Sequence, residues 1–199
     1  MEQAARTTLK SYTLTMNGAD TGNRQDHDYY PTPPEVTRAL MGFLKLPACT
    51  VWEPACGGGA MSRELEAAGH RVTSSDIRQC GYGDGGVDFL AAEPRPCDAI
   101  ITNSPFELAE AFIRKSLATA PVVAMVLKSQ FWHAKKRAPL FLDHPPAWVL
   151  PLTWRPDFLK GGKGSPTLDC LWTVWLPGVT DTRYRPLMKP GAPGLFEAA

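Results

Sequence analysis

Thr50-Val51-Trp52-Glu53-Pro54-Ala55-Cys56-Gly57-Gly58-Gly59-Ala60-Met61 is the stretch whose reading decides the fold. An apolar run, Thr50 to Trp52, enters a glycine-rich turn, and a helical pattern follows from Ala60 to Ala68. Gly69-His70 ends that helix; Arg71-Val72-Thr73-Ser74-Ser75 reads as the next strand and stops at Asp76. Strand, glycine turn, helix and strand make a βαβ unit, with an acid about 20 residues beyond the glycines. The glycines let backbone approach a ligand closely. A carboxylate at the second strand's end can accept both hydroxyls of a ribose. The spacing is not G-x-G-x-x-G, because position 62 is Ser. Glu53 stands just before the turn, where it would repel a pyrophosphate. An acid there suits a cationic or zwitterionic ligand.

A second stretch, Asn103-Ser104-Pro105-Phe106, follows the apolar run Ala99-Ile100-Ile101-Thr102 and precedes a helical segment starting near Glu107. It therefore sits just past the end of a buried strand, where open α/β sheets bind ligands. An Asn oxygen and a turn carbonyl can both accept hydrogen bonds from an exocyclic amine, and the ring can stack on the plane that carries it. As a bare tetrapeptide it also fits a plain βα turn; its place behind the glycine turn favours the site.

The rest of the chain supplies the remaining elements of an α/β sheet. Pro33-Pro34-Glu35 starts a helix to about Leu44, with proline in the first turn. Gln79 to Gly86 reads as a loop, Glu107 to Ala118 as an amphipathic helix, and Pro121 to Leu127 as a continuous apolar, buried strand. Ser129 to Leu142 reads as partly helical. Ala147 to Leu152 and Leu171 to Leu176 read as two closing strands across the loop Arg155 to Pro166. The expected fold is α/β: a doubly wound, Rossmann-like, mostly parallel sheet of about seven strands with a closing β pair.

The order Glu-Pro-x-x-Gly-x-Gly, strand-end Asp, then Asn-x-Pro-Phe resembles the class I S-adenosyl-L-methionine-dependent methyltransferases that act on exocyclic amines. Within these it is most similar to the phage-type DNA adenine-N6 methyltransferases, over roughly residues 29 to 176. Tyr30-Pro31-Thr32-Pro33 resembles the Tyr-x-Thr-Pro segment before the first strand, which packs against the methionine part of the cofactor. Val87-Asp88-Phe89-Leu90 resembles the Asp-Phe that follows the third strand and flanks the adenine. Where the family has Pro-Pro, this chain has Ser104-Pro105, and position 104 would act through its backbone carbonyl. The resemblance implies a catalytic set of Asn103, Ser104, Pro105 and Phe106. It implies a cofactor set of Tyr30, Thr32, Glu53, Pro54, Ala55, Gly57, Gly59, Asp76, Ile77, Asp88, Phe89 and Asn103. It also implies a methyltransferase domain over 27–178; by composition, polar residues 1–26 read as a flexible arm and 179–199 as a Pro/Gly-rich tail.

Bulk properties narrow the partner. Among 199 residues, 44% are hydrophobic and 21% charged, as in a globular domain. Residues 1–100 hold 9 Lys/Arg against 13 Asp/Glu, whereas 101–199 hold 12 against 7. The basic excess gathers in Lys128, Lys135, Lys136, Arg137, Arg155, Lys160 and Lys163, interleaved with Phe131, Trp132, Trp148, Trp154 and Phe158. A basic, aromatic stretch beside a base-sized pocket suits a nucleic acid; the resemblance implies that this is duplex DNA with the target base flipped. The bland alternative is a solvated face over core tryptophans. No apolar run approaches a membrane span, and residues 1–25 hold no apolar block; the odd number of scattered cysteines suits a reducing cytoplasm, the expected location. Five scattered cysteines without Cys-x-x-Cys, and four histidines without ligand spacing, call for no metal. Lys160-Gly161-Gly162-Lys163-Gly164-Ser165 is not a phosphate loop, because Gly164 separates Lys163 from Ser165. Asp169, just before a strand, reads as a structural cap.

The leading expectation is methyl transfer to adenine N6 in DNA. The rivals are methylation of cytosine N4, an RNA base or a glutamine amide, and a binding module that has kept the fold without turnover.

Overall fold

The computed structural model describes residues 30–158 and 166–191. Eight strands form one sheet in the order β3-β2-β1-β4-β5-β7-β6-β8. In chain order they are β1 (Thr50–Glu53), β2 (Arg71–Asp76), β3 (Asp84–Gly85), β4 (Ala99–Thr102), β5 (Val122–Lys128), β6 (Trp148–Pro151), β7 (Cys170–Trp175) and β8 (Arg183–Tyr184). The helices are α1 (Pro34–Leu44), α2 (Ala60–Ala67), α3 (Ala109–Thr119) and α4 (Ala138–Asp143). The sheet is parallel except for β7, which runs antiparallel to β5 on one side and to β6 on the other.

The chain winds outward from β1 to β2 and β3, then returns to place β4 against the other edge of β1 (Val51↔Ala99, Trp52↔Ile100). Winding therefore reverses between β1 and β4. Their carboxyl ends lead to the glycine turn and the Asn103 turn, which flank the crevice where such sheets bind ligands.

Period-two alternation divides the core between the two faces. Val51, Ile101, Ala124, Val126, Trp172 and Val174 pack with Val36 and Leu40 of α1 and Met61 and Leu65 of α2. Trp52, Ile100, Val123, Met125 and Leu127 pack with Phe112 and Ile113 of α3 and Leu140 of α4. Three indole N–H groups are satisfied inside: Trp52 on Ser75 Oγ (2.9 Å), Trp172 on the Val36 carbonyl (3.0 Å) and Trp175 on the His144 carbonyl (2.9 Å).

The sheet has eight strands, not the expected seven. The eighth, β8, comes from the proline-rich segment read as tail and pairs with the free edge of β6. Leu187 follows it into the core. The expected closing pair is the hairpin β6–β7, wedged between β5 and β8. Residues 77–83 connect β2 to β3 with no helix, although a parallel crossover normally uses one. Gly83, at φ 64°, lies so close to the Ser74 carbonyl that a Cβ would meet it at 2.5 Å, so only glycine lets this loop fold back. Helix α3 begins two residues later than expected, because Leu108 N–H bonds the Pro105 carbonyl (3.0 Å) and gives residues 105–108 to the turn.

Candidate active site

The glycine turn is built around Asp76. Gly57 N–H donates to Asp76 Oδ2 (2.8 Å), tying the end of β1 to the end of β2. Cys56 N–H bonds the Ser75 carbonyl (3.0 Å) and reinforces the same tie. Gly59, at φ 77°, forms the N-cap of α2, and a Cβ there would lie 2.4 Å from the Tyr82 ring. The Asp76 carboxylate is 3% exposed and also accepts from Arg78 through N–H (2.8 Å), Nε (3.1 Å) and Nη2 (3.3 Å). Next to it, Ile77 is 61% exposed, a large aliphatic side chain in the open at a strand end.

Glu53 is 2% exposed at the end of β1. Ser62 Oγ donates to it, and Ser62 also shares a hydrogen bond with Ser74 Oγ (2.7 Å). Burial pushes the Glu53 carboxyl up to about 7; the Ser62 hydrogen bond opposes this, and the neighbouring Asp76 and Glu66 charges add to it. Ser62, the residue that breaks the dinucleotide spacing, is thus the hydroxyl that serves Glu53. Pro54 and Gly57 are buried beside it and Ala55 is half-buried. The Cys56 thiol is pushed up to about 12, chiefly by burial, which leaves it unsuited as a nucleophile.

Across the switch point, Asn103 Nδ2 donates to Thr32 Oγ1 (3.1 Å). Thr32 is buried just before α1, so the segment ahead of that helix holds the amide. Asn103 Oδ1 is buried and has no hydrogen-bond partner among the described residues. A buried acceptor left unpaired loses its water without a replacement. Ser104 is buried and Pro105 half-buried. Phe106 is half-buried, with Lys128 Nζ 4.3 Å from its ring centroid, so the end of β5 covers one ring face.

The other expected residues are placed less directly. Tyr30 is half-buried against the α1-side core. Asp88 is exposed and accepts Leu90 N–H (2.9 Å). The Phe89 ring is packed edge-on to Trp52 (5.1 Å) and beside Phe112 (4.8 Å), so it belongs to the core and offers a ligand mainly backbone. Lys135 and Lys136 are exposed on a 3-10 turn. Arg137 turns inward, with Nη1 on the Phe131 carbonyl (3.0 Å) and its guanidinium over the Phe131 ring (4.0 Å). Arg155 pairs with Asp169 (2.8 Å) at the surface. Lys160 and Lys163 lie outside the described residues.

Sequence reading missed Arg78, whose grip on Asp76 leaves no pattern in the chain. It also missed Lys115, whose Nζ donates to the Leu90 (3.2 Å) and Ala92 carbonyls and pins the loop after β3. A lysine on an amphipathic helix carries no sign of such a role. Among the described residues, no group of three or more His, Cys, Asp or Glu is placed to hold a metal ion, and no helix is long and apolar enough to cross a membrane.

Methyltransferases of solved structure share this fold. A putative RNA methyltransferase from Pyrococcus horikoshii superposes with TM-score 0.61 at 16% identity, over 77% of this chain and 91% of that one. The methyltransferase subunit of a type I restriction-modification system from Streptococcus thermophilus gives 0.62 at 11%, over 79% of this chain and 47% of that subunit. The magnesium protoporphyrin IX methyltransferase of Synechocystis PCC 6803, solved with bound SAM, gives 0.50 at 18%, over 71% of this chain and 79% of that one. At these identities the likeness is one of fold. No protein-family model and no curated relative matches the chain by sequence.

Proposed function

We propose that this protein is an S-adenosyl-L-methionine-dependent methyltransferase acting on the N6 amine of adenine in DNA. The observation that carries the reading is the buried Oδ1 of Asn103, without a hydrogen-bond partner among the described residues, in an amide fixed by the bond from its own Nδ2 to Thr32. A buried acceptor beside an aromatic ring fits a donor on a planar group, and an exocyclic amine is such a donor.

The donor set also fits the cofactor. Glu53 is a buried carboxyl bonded by the neutral Ser62 hydroxyl, so its ionised form is suited to a cationic ligand. Asp76 stands where a ribose diol can be accepted, and exposed Ile77 offers an apolar surface to a base. When bound, S-adenosyl-L-methionine supplies an electrophilic methyl group on a sulfonium. The protein's own part is orientation and polarisation. Asn103 Oδ1 and the Ser104 carbonyl accept the two amine hydrogens, which returns electron density to nitrogen and fixes the direction of its lone pair. Phe106 stacks on the flipped base with the face that Lys128 leaves open. Lys135 and Lys136 supply contacts to phosphate.

The test is expression in a methylation-deficient host followed by nucleoside mass spectrometry of its DNA and RNA. N6-methyladenine in DNA is expected, and it should disappear with Asn103→Ala. N4-methylcytosine, or a methylated base confined to RNA, would overturn the assignment of substrate. Methylation that survives Asn103→Ala would overturn the assignment of the site.

A further inference from the structure

Asp76 is already saturated. An ionised carboxylate offers about four lone-pair sites. Four donors occupy them: Gly57 N–H at 2.8 Å, and from Arg78 the backbone N–H at 2.8 Å, Nε at 3.1 Å and Nη2 at 3.3 Å. Two of the four are backbone groups that hold the glycine turn and the end of β2, and they cannot leave without unmaking both. The other two belong to one side chain, 23% exposed, that can leave by rotating its own torsions. A diol needs two acceptor sites, and the Arg78 guanidinium holds two.

We infer that Arg78 is a latch on the ribose site: it competes with the cofactor's 2′,3′-diol for Asp76 and thereby sets cofactor affinity. The inference rests on the cofactor reading above. Before the diol can be accepted, the guanidinium must swing from Asp76 into solvent, and the charge-assisted fork with the carboxylate is lost. The cofactor's observed affinity is its affinity for the open site multiplied by the small fraction of protein that is open. Arg78 therefore weakens binding, although a basic residue beside a strand-end acid looks like a ligand contact. It also protects the glycine turn: without ligand, it keeps a buried carboxylate from standing with unfilled acceptor sites.

Calorimetric titration with S-adenosyl-L-methionine tests this on the full chain and on its Arg78→Ala and Arg78→Lys variants. Arg78→Ala should bind about tenfold more tightly, the scale of one net charge-assisted hydrogen bond. Arg78→Lys, which keeps the charge but not the fork, should fall between. Competition by adenosine and 2′,3′-dideoxyadenosine reads the diol directly, and the preference for adenosine should be greater in Arg78→Ala than in the parent. Unchanged or weaker binding in Arg78→Ala, with a parent that binds, would overturn the latch alone, since Arg78 would then be a bystander or a ligand contact. A parent that shows no binding would overturn the cofactor reading and the latch with it.

Discussion

Glu53→Gln should stabilise this protein, and the gain should depend on pH. The carboxyl is fully buried and its value is raised from the usual 4.5 to about 7, chiefly by desolvation. A group raised in the folded state holds its proton there while the unfolded chain has released it. Between about pH 4.5 and 7 the unfolded state therefore binds fewer protons, and stability falls as pH rises. A rise from 4.5 to about 7 corresponds to about 3 kcal/mol, present as a cost above pH 7 and absent below pH 4. Glutamine has nearly the same shape and can still accept from Ser62 Oγ, but it cannot ionise. Urea unfolding of parent and variant from pH 4 to 9 should give similar stabilities at the acid end and a growing advantage for the variant up to about pH 8. A difference that stays constant with pH, or a variant less stable at pH 8, would refute the reasoning. The same titration bears on the ligand: a cation is attracted to the ionised carboxylate, so S-adenosyl-L-methionine should bind the parent more tightly as pH rises through 7, and the variant should lack that rise.

Further predictions follow from the amide and the basic turn. Thr32→Val removes the acceptor for Asn103 Nδ2 while keeping the shape; the freed amide should lower the single-turnover rate about tenfold, a small part of what losing an oriented catalytic hydrogen bond costs, with cofactor affinity kept. Equal rates in parent and variant would show that Thr32 does not orient the amide. Replacing Lys135 and Lys136 together by Ala should flatten the slope of log DNA affinity against log salt by up to about 2 and weaken all sequences alike, as for phosphate contacts. Arg137 is left out of that set because it is bonded to Phe131. An unchanged salt slope would place the DNA elsewhere.

The parts of the fold that were legible in the sequence are those fixed by burial pattern. Strand β5 is buried from Val123 to Leu127, and an uninterrupted apolar run is what such a strand requires. Strand β8 is two exposed residues in a proline-rich stretch; it exists because β6 has an open edge, and nothing in its own residues carries a period. The fold-back at Gly83 depends on the position of the Ser74 carbonyl, which a count of glycines does not reveal. Of the proposed site residues, the burial pattern puts Glu53, Asp76 and Asn103 at or just past strand ends and Gly57 in the turn after β1, which is where the structure has them. Phe89 sits at the named place, but the packing of Trp52 and Phe112 takes its ring.

What the sequence withholds is how the site stands before a ligand arrives. It contains two buried carboxyl groups, and the chain neutralises them by different means. The Asp76 carboxylate is bonded by a backbone amide and a guanidinium; burial raises the Glu53 carboxyl. Neither device is a motif, since each depends on which donors the folded backbone brings within reach. On the proposed cofactor reading, their consequence is that recognition would be an exchange at both carboxyl groups. At Glu53 the ligand's positive charge would substitute for a proton, and at Asp76 the diol would substitute for Arg78. Each exchange replaces one satisfied state with another, so affinity is a difference between two well-bonded arrangements. Acidity should strengthen the closed state at Glu53 and leave the Arg78 fork intact, because a guanidinium does not titrate in this range. Cofactor affinity in Arg78→Ala should therefore remain as dependent on pH as in the parent, while in Glu53→Gln it should lose the pH dependence and keep the sensitivity to position 78.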